Sequence, residues 1–186
     1  MLIETLILAI VISLLRGGKL NCLGELVLRE FWLVPLALVL QSGVYWAAVQ
    51  GIGLGPSWVS PVLDTGSYLL LLIFTVRNIA LPGMRLITLG ILLNAIVIGL
   101  NGGVMPVDPS FLPESSINAL QEGRGTHGLM TSMTHLSFLA DRFYIDMLGF
   151  RKQMFSVGDV LIDIGVFLLV FKTLQRPREY SNENSV

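Results

Sequence analysis

The chain has 186 residues and a net charge of −1, with 53% hydrophobic and 13% charged residues and a mean hydropathy of +0.74. Soluble domains carry about 25% charged residues, so this composition argues against an ordinary soluble domain, and the balanced charge against a nucleic-acid partner. Cys22 is the one cysteine, which excludes an intrachain disulfide and a cysteine-based metal site.

The first apolar run covers residues 2–15, short against the roughly 20 residues that cross a bilayer. Glu4 stands where a signal peptide has basic residues, and the run ends in Arg16-Gly17-Gly18-Lys19, not in a small-residue cleavage site. A second run covers 31–51, broken by Gln41, Ser42 and Gly43, and a third covers 59–76 with Pro61 in its first turn. Leu81-Pro82-Gly83-Met84 reads as a tight turn. The fourth run, 85–101, is ended by Gly102-Gly103, and a fifth follows at 156–174. These runs predict an all-α, multi-pass membrane domain over 1–175 with five transmembrane helices, a structured outer segment at 102–155 and a cytoplasmic tail at 176–186. Ser181–Val186 reads as disordered.

Basic residues orient the chain. Arg16, Lys19 and Arg29 follow the first run, Arg77 and Arg85 flank the third loop, and Lys172, Arg176 and Arg178 close the last. Residues 52–58 carry none. Basic residues on short loops stay cytoplasmic, so the N-terminus is expected outside and the C-terminus inside a bacterial cytoplasmic membrane, with Cys22 on the reducing side. Trp32, Tyr45, Trp46 and Trp58 fall near span ends, as an aromatic belt does. Segment 102–155 is then outside; long loops translocate largely regardless of charge. Its start, Gly102 to Pro113, should be irregular, Ser115–Gln121 helical, and Leu129 to Ala140 an interfacial or partly re-entrant helix.

The fifth run opens with Phe155-Ser156-Val157-Gly158-Asp159-Val160-Leu161-Ile162-Asp163. Ser156 at the N-cap and Asp159 at N3 form a variant of the capping box, with Phe155 and Val160 in the staple positions. Asp163 lies one turn deeper, where capping does not explain it. It should turn inward to a polar partner, Asn101 or a backbone N–H of the outer segment, since a carboxylate facing lipid costs about 2.5–3.5 kcal/mol. Gly90, Asn94 and Asn101 mark one face of the fourth run; Asn101 also suits a helix C-terminus, and Asn94 and Gln41 suit hydrogen bonds between helices. Asp64 lies at the outer end of the third run. Asp64, Asn101, Asp159 and Asp163 fall toward the outer face and could share an outer-leaflet polar pocket beneath 102–155; with Asn94, nearer mid-span, they are the ligand-binding candidates. His127 and His135, eight apart, lack metal-ligand spacing, so no metal site is expected. No phosphate loop, nucleophile elbow or zinc motif is present, and no pattern names a cofactor.

Three stretches, Leu15-Arg16-Gly17-Gly18-Lys19-Leu20, Leu100-Asn101-Gly102-Gly103-Val104-Met105-Pro106-Val107 and Phe155 to Ile162, together resemble a family of uncharacterised bacterial multi-pass membrane proteins, a domain of unknown function. Leu139-Ala140-Asp141 is also family-like, whereas Asp163 is not part of the pattern. The resemblance implies five helices and no established activity. Phe138-Leu139-Ala140-Asp141-Arg142 and Phe155 to Asp159 are in addition similar to the two motifs of lipoprotein signal peptidase, although Phe138 and Ser156 stand where that family has Asn and Gly158 where it has Ala.

Three functions follow as expectations. The first is a non-enzymatic membrane protein that binds a lipid, a small ligand or a partner subunit through the outer pocket. The second, implied by the peptidase likeness, is an aspartate-dependent outer-leaflet hydrolase with Asp141 and Asp159 as its catalytic dyad. The third is a small transporter or its substrate-binding subunit, with Asp163, Asn94 and Gln41 along a path. A dyad requires the two carboxylates within a few ångströms of each other, and a transporter requires mid-membrane polar groups facing one cavity.

Overall fold

The structure, a computed structural model, describes residues 1–56, 58–122, 126–147 and 151–175. The expected tail at 176–186 lies outside the described residues. The chain is mostly helical. In order come α1 (Leu2–Leu15), a single turn α2 (Asn21–Gly24), α3 (Leu33–Val49), α4 (Val59–Arg77), α5 (Met84–Leu100), β1 (Met105–Val107), α6 (Glu114–Gln121), β2 (His127–Leu129), β3 (Phe143–Met147), β4 (Arg151–Phe155) and α7 (Val157–Leu174). The five long helices coincide with the five apolar runs to within two residues at either end. Among the described residues, α4 alone is long and apolar enough to cross a membrane by length and composition. The apolar helices α1, α3 and α5 are shorter, and α7 carries Asp159, Asp163 and Lys172 within its 18 residues.

Neighbouring helices touch in the order α3, α4, α5, α7, α1. α5 and α7 run antiparallel and meet through glycines, Gly83 against Gly165 and Gly90 against Gly158. A Cβ on Gly158 would stand 2.7 Å from the Gly90 carbonyl oxygen, and one on Gly165 the same distance from that of Gly83. Small residues at a helix–helix contact let the backbones approach this closely. α1 lies parallel to α7. The Met1 ammonium donates to Gln153 Oε1 at 2.9 Å beside the start of α7, and the Lys19 N–H donates to the Leu174 carbonyl at 3.0 Å at its end. Ala9 and Ser13, both fully buried, let α1 settle on Val170 and Leu174.

This order places the connections alternately at two ends. Residues 16–32 and 78–83 and the end of α7 share one; the described residues of 50–58 and of 101–156 share the other. Asn78, at the C-terminus of α4, ties the first end together. Its side chain donates to the Arg29 carbonyl and accepts the Arg29 N–H, both at 2.8 Å, and donates to the Phe74 carbonyl at 2.8 Å. Asn101, at the C-terminus of α5, does the same at the other end. It donates to the His135 carbonyl at 3.0 Å, accepts the His135 N–H at 2.9 Å and donates to the Val97 carbonyl at 2.8 Å. Gly102 and Gly103, at φ +74° and +85°, then reverse the chain, and the Gly103 N–H closes on the Ile98 carbonyl.

The outer segment departs from the all-α expectation. β1 and β2 pair in parallel, and β3 and β4 pair antiparallel with Phe143 opposite Phe155. α6 falls where a short helix was expected. The interfacial or re-entrant helix expected over Leu129 to Ala140 does not form. The Thr131 N–H bonds Thr134 Oγ1 at 2.9 Å and the Met133 N–H bonds Thr131 Oγ1 at 3.2 Å, so short polar side chains take the backbone groups a helix would need. Leu136 then adopts φ +52° before a 3₁₀ turn at Ser137–Leu139. Near the start of the segment, the Ser110 N–H donates to Asp108 Oδ1 at 2.9 Å, which holds that exposed carboxyl below its ordinary range.

Candidate functional site

The capping box forms as the spacing requires. Ser156 Oγ accepts the Asp159 N–H at 3.0 Å, and Asp159 Oδ2 accepts the Ser156 N–H at 2.9 Å. A third member comes from α5. Asn94 Nδ2 donates to Asp159 Oδ1 at 3.0 Å, and Ser156 Oγ donates to Asn94 Oδ1 at 2.9 Å. Ser156 and Asn94 are buried, at 0% and 4% exposure. The three side chains thus lock the start of α7 onto the middle of α5, at the point where Gly90 and Gly158 bring the backbones together.

This triad forms one wall of a cavity of about 310 Å³ at the end of the bundle where α4 and α7 begin. Gln41, Ser42 and Tyr45 reach it from α3, Asp64 and Tyr68 from α4, Asn94 and Ile98 from α5, and Asp159 from α7. The outer segment closes it with Met105, Thr126, His127 and Asp141. Asp141 arrives through the backbone. Its N–H donates to the Pro106 carbonyl at 3.0 Å, its carbonyl accepts the Asp108 N–H at 2.9 Å, and it bridges to Val107 beside β1. β2 lies on the opposite edge of β1 with His127 level with Met105. His127 Nε2 stands 3.4 Å from Asp141 Oδ2. Asp141 is 6% exposed, and its Oδ1 is buried without a hydrogen-bond partner. Tyr68 lies within electrostatic reach of Asp64, Asp141 and Asp159 alike, and His127 within reach of Asp64. Among the described residues, no Lys or Arg lines the cavity.

Of the five ligand-binding candidates, Asp64, Asn94 and Asp159 line the cavity, and Asn101 and Asp163 do not. Asn101 caps α5 and clamps His135, so its amide is spent on backbone. Asp163 is half-buried on the α1 side of α7, with Thr5, Glu4 and the N-terminal ammonium as its electrostatic neighbours. Neither Asn101 nor the outer segment, the partners expected for it, is among these neighbours: four residues after Asp159, Asp163 is turned about 40° further round the helix, toward α1. Gln41 lines the cavity while Asp163 does not, so the three groups of the expected transport path do not share one cavity. His135 is exposed and held by its backbone. Among the described residues, no group of three His, Cys, Asp or Glu side chains is placed to hold a metal ion. Tyr68 was legible but missed: it lies four residues after Asp64 and so shares its helix face.

Asp141 and Asp159 border the same cavity, yet they are not equivalent. Both Asp159 oxygens already accept hydrogen bonds inside the protein. Asp141 enters the wall with accepting capacity unused. A cavity of this size is at the lower end of small-ligand sites, and its wall carries three carboxyl groups among hydroxyl, amide and imidazole side chains.

The model of DUF5317, a family of unknown function, matches residues 25–171. A relative from Thermotoga maritima, named only as an uncharacterized protein, is 29% identical over 168 residues, covering 90% of this chain and 89% of the relative. No solved structure matches the chain.

Proposed function

The chain belongs to the DUF5317 family, and from the site we propose that it is a non-enzymatic, multi-pass protein of the bacterial cytoplasmic membrane that binds a positively charged small ligand in its outer-face pocket. The observation that carries the reading is the convergence of three carboxyl groups, Asp64, Asp141 and Asp159, on one cavity with Asp141 Oδ1 buried and unpartnered. An ammonium group has three donors and no acceptor, which complements that wall. His127 is the one side chain there able to supply positive charge from the described residues.

Membrane embedding is supported by the outward faces. Leu2, Ile3, Leu6 and Ile7 on α1, Val39 and Trp46 on α3, Val62, Leu69 and Ile73 on α4, and Leu89, Leu92 and Ile96 on α5 are all exposed. A helix apolar all round belongs in a core or in a bilayer, and only 22% of the apolar window of α4 is buried inside the molecule. Trp32, Tyr45, Trp46 and Trp58 are more than half exposed, as an interfacial belt requires. The end that gathers Arg16, Lys19, Arg29, Arg77 and Lys172 is then cytoplasmic, which sets the N-terminus outside. Helices of 14 to 19 residues span about 21–28 Å, short of the roughly 30 Å hydrocarbon core but within reach of local thinning and interfacial anchoring.

The test is ligand-dependent stabilisation of the detergent-purified protein. Ethanolamine should raise Tm in the wild type and not in Asp141→Asn, whose amide lacks the charge. Equal protection of both, or none of the wild type, defeats the reading. The hydrolase alternative is favoured by the shared cavity of Asp141 and Asp159, but a dyad needs a freely shared proton, and the Asn94 and Ser156 bonds occupy both Asp159 oxygens. Hydrolysis of a lipopeptide that is lost in Asp141→Asn and Asp159→Asn would favour it instead.

A further inference from the structure

The polar cavity does not stand alone. A second cavity of about 380 Å³ adjoins it, with Asp64 and Thr126 in the common wall. A third, an apolar groove of about 660 Å³, adjoins the second through Pro61 and Gly103. The groove runs between the outer halves of α4 and α5. Trp58, Val62 and Leu69 border it, and Gly66 and Gly99 lower its floor. A Cβ built on Gly66 or Gly99 meets nothing within 4 Å, so these glycines are not required by helix packing as Gly90 and Gly158 are. They leave a trough on a surface whose other large side chains point outward.

We propose that the ligand is a membrane lipid with a primary ammonium head group: the head group enters the acidic cavity and an acyl chain lies in the α4–α5 groove. The inference rests on the amine-binding reading of the pocket and adds the chain. The arrangement matches an amphiphile in order as well as in chemistry. Acceptors lie beneath the outer segment, a mixed cavity follows, and an apolar trough continues down the lipid-facing side. A soluble amine would have no use for the trough, and a lipid whose head group carries only negative charge would meet three carboxyl groups with no cation of its own to face them.

The experiment measures lipid retention by native mass spectrometry of the full chain in a neutral detergent. Dioleoyl phosphatidylethanolamine, its N-acetylated form and dioleoyl phosphatidylglycerol are titrated separately, with ethanolamine protection measured in parallel. The wild type should retain phosphatidylethanolamine at least tenfold better than the other two. Gly66→Leu and Gly99→Leu, which fill the trough without touching the head-group cavity, should each weaken that retention about tenfold and leave ethanolamine protection unchanged. Asp141→Asn should weaken both. Equal retention of the three lipids, or retention unaffected by both leucine substitutions, overturns the lipid assignment while leaving the amine site standing. Absence of ethanolamine protection in the wild type removes the underlying amine reading, and the two failures are therefore distinguishable. Should one leucine variant not fold, the other carries the groove arm.

Discussion

Asn94→Ala is expected to be the most damaging single truncation at the α5–α7 seam. The side chain makes two hydrogen bonds to another helix, one as donor to Asp159 Oδ1 at 3.0 Å and one as acceptor from Ser156 Oγ at 2.9 Å. Its removal strands a carboxylate oxygen and a fully buried hydroxyl. Each buried group left unsatisfied costs about 1–3 kcal/mol, so the loss should be about 2–6 kcal/mol. For a chain of this size each kcal/mol moves Tm by about 2–4 °C, which places the fall between about 4 and 24 °C. Asn94→Asp should be at least as harmful: it keeps an acceptor for Ser156 but replaces the donor facing Asp159 with a second carboxylate. Tryptophan fluorescence during thermal unfolding in detergent reads the effect, and a double-mutant cycle with Asp159→Asn isolates the pair, with an expected coupling of about 0.5–3 kcal/mol. A Tm within about 1 °C of wild type for Asn94→Ala, with no coupling in the cycle, would refute the network as a structural lock.

Four further outcomes are expected. Gly158→Ala should destabilise by about 1–3 kcal/mol, since its Cβ meets Asn94 and the Gly90 carbonyl, whereas Gly43→Ala, with nothing within 4 Å, should be neutral or stabilising by about 0.5–1 kcal/mol; thermal unfolding of the two variants reads the opposite signs. Asn78→Ala removes three bonds to backbone and should cost about 2–3 kcal/mol, and chemical unfolding of that variant without such a loss would show the Arg29 clamp to be idle. In a Cys22→Ala background, an impermeant maleimide should label Met133→Cys in intact cells and Val27→Cys only after permeabilisation; the reverse pattern would invert the proposed topology. Asp163→Asn and Asp163→Leu should both leave ethanolamine protection unchanged, because Asp163 lies outside the cavity; loss of protection in either variant would place it in the site.

The helices were legible because each is one apolar run with a punctuated end: Gly83 before α5, Asn101-Gly102-Gly103 after it and Ser156 before α7. The capping box was legible because all its members are local in sequence. Asn94 was visible as a polar group on a glycine-marked face, but its partners depended on how far α5 rotates against α7, which Gly90 and Gly158 settle only once the two helices are brought together. Asp163 shows the same limit from the other side. Spacing put it on the face of Asp159, yet a helix packed between two neighbours gives successive turns of that face to different partners, here α5 and then α1.

The outer segment was least legible, and for a different reason. β1 and β2 have three residues each, too few for any periodicity to show, and a parallel pair carries no turn signature. The Phe143-Tyr144-Ile145 run ahead of Gly149 was a usable strand signal, lying just beyond the stretch to Ala140 in which an interfacial helix was expected. The consequence reaches the site directly. Asp141 belongs to no helix and follows no span, so nothing local assigns it a place; its position comes from backbone bonds to Pro106 and Asp108, more than thirty residues earlier. A carboxylate carried into a buried wall by main-chain pairing, with one oxygen left unpartnered, is poorly explained by stability, because the same backbone bonds would form with an apolar side chain there at less desolvation cost. That asymmetry is why Asp141, rather than the fully bonded Asp159, is the residue on which the binding proposal turns.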